Sequence, residues 1–166
     1  MKLIPSSVGR CRKNARSAFV VNNRRGAAVV EFAVCAPLLF LLILGMFEVG
    51  RFVNVGEIAT HASRFGARQA SVASATVVDV VARTRQYLND ASVKGSAATI
   101  TVEAETAAGN GTFAGVTDLS TVAVGSAIRV RVDVDFSQVT WLPGGPLRTI
   151  LPGTIGGTTV MRKEST

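Results

Sequence analysis

Apolar residues follow three different patterns along this chain: a continuous run, a helical period and a period of two. Residues 27–47, AAVVEFAVCAPLLFLLILGMF, have no period: the run is 21 residues long and Glu31 is its only charge. That is long enough to cross a bilayer core of about 30 Å as a helix. Past Gly45 the period is helical, with Ile58, Ala62, Phe65 and Val72 at spacings of 4, 3 and 7 on one face, so a long helical stem is expected. In TVVDVVARTRQYL, Val77, Val78, Val81 and Leu88 fall on one side, which predicts either a second amphipathic helix or a continuation of the first. A stop is expected at Lys94-Gly95, a basic residue followed by glycine.

Beyond Gly95 the period becomes two. Ala98, Ile100, Val102 and Ala104 alternate with Thr99, Thr101, Glu103 and Glu105, and Ile128 through Phe136 alternate with Arg129, Arg131, Asp133 and Asp135. Both segments predict strands with one wet face. Antiparallel pairing would set Glu103 and Glu105 against Arg129 and Arg131. The Gly-rich connection between them carries a short strand near Val122, and Thr158 to Met161 supplies a third. Trp141, beside Leu142, is a candidate for sheet packing or for the membrane interface. The expected class is α+β. A basic leader (1–26) and a transmembrane helix (27–47) precede a helical stem (48–94) and a small antiparallel β-sheet head (95–166).

Charge sharpens the first part of this picture. The 166 residues carry a formal net charge of +7, which taken whole would suggest a nucleic-acid partner. Seven of the 18 basic residues, Lys2, Arg10, Arg12, Lys13, Arg16, Arg24 and Arg25, precede Glu31 with no acid among them, leaving 11 basic against 11 acidic residues from Gly26 onward. The basicity belongs to the leader. A basic leader directly ahead of an apolar run is the positive-inside pattern, which keeps the N-terminus cytoplasmic. No aromatic surface interleaves these arginines, so no nucleic-acid partner is expected.

Cys11 and Cys35 are too few for a disulfide framework. Val34 ahead of Cys35 argues against a lipoprotein signal, and Cys35 reads as a small apolar residue of the helix. The expected cofactor and metal content is none. His61 is the only histidine, and neither a zinc spacing, a nucleophile elbow nor a phosphate loop is present. Catalysis is not expected.

Three readings compete for the apolar run. A cleaved secretory signal needs small residues after the core, whereas GMFEVGRF follows Leu44. An ordinary anchor leaves Glu31 unexplained, because an acid within a membrane helix costs about 2.5–3.5 kcal/mol at the centre. In a prepilin-type N-terminus, a peptidase cuts between Gly26 and Ala27. Ala27 then becomes a free amine, Glu31 becomes the fifth residue, and the two charges can pair between neighbouring chains. Pro37 removes a backbone donor inside the run and marks a kink.

The stretch RGAAVVEFAVCAPLLFLLILG resembles the N-terminus of TadE-like proteins, pseudopilins of the bacterial tight-adherence (Flp-type) pilus system. These are similar to type IV prepilins. Gly26, Glu31, Phe32 and Pro37 match the motif one by one, and the likeness continues through EVGRF (48–52) and ATHASRFGARQA (59–70). The resemblance implies a minor pilin or pseudopilin processed after Gly26. Its implied partners are a prepilin peptidase, other pilins bound through the N-terminal helix, a pilus assembly platform and membrane lipid. The implied location is the bacterial inner membrane, single-pass, with the head extracytoplasmic. The alternative is an uncleaved, membrane-anchored envelope binding protein, for which neither Gly26 nor Glu31 is needed. A holin-like pore former fits poorly, because a long patterned sequence follows the span.

Overall fold

The computed structural model describes residues 24–140 and 153–165. Most of the basic leader, Cys11, Trp141 and Leu142 lie outside the described residues. The class is α+β, a long apolar N-terminal helix followed by a four-stranded antiparallel sheet. Helix α1 is Arg24–Ser71, helix α2 is Val77–Asp90, and the strands are β1 (Ala98–Glu105), β2 (Phe113–Gly115), β3 (Ala127–Asp135) and β4 (Thr154–Arg162). The chain divides into two units, residues 1–39 and 40–166.

Described by itself, the first unit is the N-terminal part of α1. Its apolar side chains are exposed on every side, Val34 the most at 74 %. Pro37 lies inside the helix without interrupting it, although its ring takes away the N–H that would bond the carbonyl of Ala33.

The second unit is built around the sheet, in the order β2-β1-β3-β4 with every neighbour antiparallel. The two strands read from alternation are both present, and their register sets Ala98, Ile100, Val102 and Ala104 against Val134, Val132, Val130 and Ile128. All eight side chains are on the inner face. Glu103 meets Arg129 as expected, at 3.2 Å, with the guanidinium lying 3.7 Å over the Phe113 ring. Arg131 instead pairs with Asp133 of its own strand at 2.6 Å. Glu105 turns to backbone N–H groups, those of Gly111 (2.7 Å) and Ala127 (3.2 Å). Hydrogen bonds from Gly109, Gly111 and Ala127 hold its carboxyl below the usual range.

Two expectations about strands change. The short strand of the Gly-rich connection is Phe113–Gly115, not near Val122, where a single 3-10 turn (Leu119–Thr121) follows the Asp118 cap. That cap, a hydrogen bond from the Ser120 N–H, keeps the Asp118 carboxyl below its usual range as well. The C-terminal strand is nine residues long and pairs with the whole of β3.

Helix α1 covers the inner face with small residues. Val55, Ala59, Ala62, Ser63, Ala67 and Ala70 are buried, so the buried face is offset from the one read in sequence. Ala62 belongs to it, Ile58 and Phe65 sit at its margin, and Val72 is exposed. The reason is distance. A Cβ on Gly157 of β4 would lie 2.5 Å from the Thr60 Cα, and one on Gly66 would lie 2.7 Å from the Thr84 hydroxyl. Bulkier residues on this face would hold helix and sheet apart.

Contacts fix the direction. Gly56 faces Ile155, Thr60 faces Gly157, Ser63 bonds Thr159 at 2.8 Å, and the Glu164 N–H donates to the Ser71 carbonyl at 2.9 Å. Numbers rise together along both elements, so this part of α1 runs beside β4 in the same direction.

Helix α1 stops at Ser71, and α2 restarts after Thr76. The Thr76 hydroxyl accepts from the Asp79 N–H at 3.2 Å and donates to the Asp79 carboxylate at 2.8 Å, a reciprocal cap that fixes a new helix start. Val80, Thr84 and Leu88 are buried, and Val78, expected on that side, points out. The helix ends at Asp90, before the expected Lys94-Gly95 stop, and Asn89 then accepts from the Gly95 N–H at 2.8 Å. Edge-to-face packing of Phe52 on Phe136 and stacking of Phe65 on Tyr87 complete the core.

Candidate functional site

The residues singled out by the sequence lie in the first turns of α1. Gly26 and Ala27 are in its opening turns, Glu31 is one turn past Ala27 on the same face, and Phe32 and Pro37 follow. All five are exposed, so no packing within the described chain requires them. A Cβ on Gly26 would meet nothing within 4 Å. Glycine inside a helix costs roughly 0.5–1 kcal/mol relative to alanine, and here no close approach accounts for it.

The surroundings are apolar. Val29, Val30, Phe32, Val34, Leu38, Leu39 and Phe40 through Leu44 are all exposed large hydrophobics. This is far more contiguous apolar surface than a water-soluble chain tolerates. Among the described residues α1 is the one helix long and apolar enough to cross a membrane. Cys35 is a free, exposed thiol of that run. His61 is exposed on α1, and among the described residues no group of three or more His, Cys, Asp or Glu is placed to hold a metal ion.

A second polar feature stands where the apolar run ends and escaped the sequence reading. Glu48 is buried, 5 % exposed, and its carboxylate accepts a hydrogen bond from the Thr140 hydroxyl. The partner lies 92 residues away in the chain, and no local pattern announces such a pair. Lys163 was also missed. It is 6 % exposed, and its ammonium donates to the carbonyls of Leu119 (2.5 Å) and Val122 (2.9 Å). A charge-assisted clasp of this kind fastens the Gly-rich connection to the end of β4.

Comparison with curated proteins and with solved structures found no match to this chain. Comparison with family models found one, and its span opens on the glycine ahead of the apolar run and closes within the stretch of α1 that packs on the sheet. Residues 26–68 match the family model of TadE-like proteins, so this segment of the chain is similar to that family.

Proposed function

We propose that the protein is a minor pilin or pseudopilin, inserted as a prepilin in the bacterial inner membrane with its N-terminus cytoplasmic and its head outside. A prepilin peptidase removes residues 1–26 and leaves Ala27 as the first residue. The span is then 27–47, the helical stem 48–94 and the β-rich head 95–166. The chain acts with other pilins, with membrane lipid and with an assembly platform in making a tight-adherence pilus. It is a substrate of an enzyme and not itself one.

One observation carries the reading: an acid, Glu31, stands five residues past a glycine at the start of an exposed apolar helix, where neither residue has a packing role. Pairing of Glu31 with the Ala27 amine of a neighbouring chain would relieve both charges in hydrocarbon. Without a neighbour the acid raises the cost of insertion, so the pair favours lateral association of helices over isolated ones.

The test is intact mass with N-terminal sequencing of protein purified from membranes of cells with and without a prepilin peptidase. Mature chains beginning AAVVEF only when the peptidase is present are expected. Chains that keep residues 1–26 in both strains would overturn processing and favour the uncleaved anchor.

A further inference from the structure

We infer that the head joins a second copy of itself edge to edge, β4 of one chain adding to β2 of the next, so that the sheet continues from copy to copy. The inference rests on the single-pass reading above for its directional part.

Among the described residues the bonding pattern leaves both edges open. The Phe136 N–H donates to the Gly153 carbonyl (3.0 Å) and the Lys163 N–H to the Ser126 carbonyl (2.9 Å). In an antiparallel ladder the bonded pairs alternate, so Ile155, Gly157, Thr159 and Met161 bond to β3. The N–H and C=O groups of Thr154, Gly156, Thr158, Val160 and Arg162 therefore point to the outer edge, where no strand meets them among the described residues. At the other end of the sheet, the Val116 N–H donates to Val102 (3.2 Å) and the Thr106 N–H to Thr112 (2.9 Å), which turns Phe113 and Gly115 outward.

Proteins usually guard such an edge with charge, proline or a bulge. The register of β4 on β3 is unbroken over nine pairs, and from Thr154 to Met161 the strand has neither charge nor proline. Among the described residues the edge is an open template.

Direction then selects the occupant. Symmetric pairing of β4 with β4 places a two-fold axis normal to the sheet, which reverses every direction in the sheet plane. Since residues 48–71 of α1 run along β4, and the chain enters them from the apolar run, the two copies would then approach the head from opposite sides. Copies inserted in one membrane the same way cannot do this. A copy displaced without reversal meets no such conflict. Four strands, each antiparallel to its neighbour, put β2 and β4 in opposite directions, so β4 and the next copy's β2 are antiparallel when the two α1 helices are parallel. Such a head-to-tail contact does not close on itself and propagates.

The experiment uses the full chain in membranes, with Cys11→Ser and Cys35→Ser as background. Gly115→Cys is combined in turn with Thr154→Cys, Thr158→Cys and Val160→Cys, all wet-face positions, and disulfides are formed by mild oxidation. At least one pair is expected to give a ladder of dimers, trimers and longer species, and each single variant none. Thr158→Pro, which removes an outward N–H and no bond to β3, is expected to abolish the ladder while leaving the melting temperature within a few degrees. Dimers from Thr158→Cys alone, or no bridge from any pair in protein that resists carbonate extraction, would overturn the inference. Extractable protein would refute the membrane reading alone, and the bridges read in the same samples would still decide the edge.

Discussion

Helix α1 contains two stretches that obey opposite rules. In residues 27–47 the side chains are large and apolar, and they are exposed. In residues 55–71 the residues that are buried are mostly Ala, Ser and Gly. Hydropathy alone would rank the first stretch as the core. Burial within the head goes instead to small residues, because α1 lies against β4 at a separation that only they permit. Apolar character therefore makes the first stretch suited to crossing a membrane, and residue size selects the packing partner in the second.

The sharpest way to break this contrast is to add one methyl group in each stretch. Gly157→Ala places a Cβ 2.5 Å from the Thr60 Cα and 2.7 Å from the Ala59 carbonyl oxygen. Both are backbone atoms, which cannot rotate aside. Overpacking of this kind costs about 1–3 kcal/mol or more, so urea or thermal unfolding of the detergent-solubilised protein should show a clear loss of stability. Gly26→Ala meets nothing and should leave unfolding unchanged. Equal effects of the two changes would refute the size argument.

Next in magnitude is the clasp. Lys163→Met keeps an aliphatic stem and removes the ammonium, leaving the Leu119 and Val122 carbonyls without their donor. A buried acceptor stranded in this way costs about 1–3 kcal/mol. Hydrogen exchange should rise at residues 116–126 before the β1–β3 ladder is affected. Uniform loosening of the whole sheet would argue that the clasp is not local.

Much of this fold was legible because its signals are local and periodic. Strict alternation located β1 and β3, and the opposite charges of Glu103 and Arg129 anticipated a cross-strand pair that forms. What was not legible depends on separation in space. The buried face of α1 is offset from Ile58, Phe65 and Val72, since close approach to Gly157 favours the alanines. Glu105 does not meet Arg131 because the register sets Arg131 opposite Thr101, and it takes the backbone N–H groups of Gly111 and Ala127 instead. The Glu48–Thr140 and Lys163–Leu119 bonds join residues 92 and 44 positions apart, and no spacing rule reaches that far. Of the candidate site, the motif residues are adjacent in sequence and so were visible at once, while the partner proposed for Glu31 lies on a second chain that no intrachain pattern can show.

A smaller effect follows from pH. Glu105 and Asp118 are held below their ordinary values of 4.5 and 3.8, chiefly by the Gly109 and Ser120 backbone N–H groups respectively. A carboxyl with a lowered folded pKa contributes stability above its unfolded value, and that contribution is lost as pH falls through the folded value. The melting temperature should be level above about pH 5 and decline below it, and Glu105→Gln should flatten part of the decline. A decline of unchanged slope in that variant would remove Glu105 from the account.

The smallest expected effect on the fold is also the most informative about function. Glu31 is exposed, so Glu31→Ala should leave the unfolding curve of residues 48–165 where it was. Membrane insertion should be intact or slightly eased, since one charge fewer enters hydrocarbon. On the proposed pairing, assembly should nevertheless fail or weaken, because the carboxylate that would meet a neighbour's amine is gone. Glu31→Gln separates charge from polarity: it retains hydrogen bonding but not the ion pair, and should assemble no better than alanine. Wild-type pilus assembly by either variant would count against the pairing and return Glu31 to the status of a tolerated charge near the lipid headgroups.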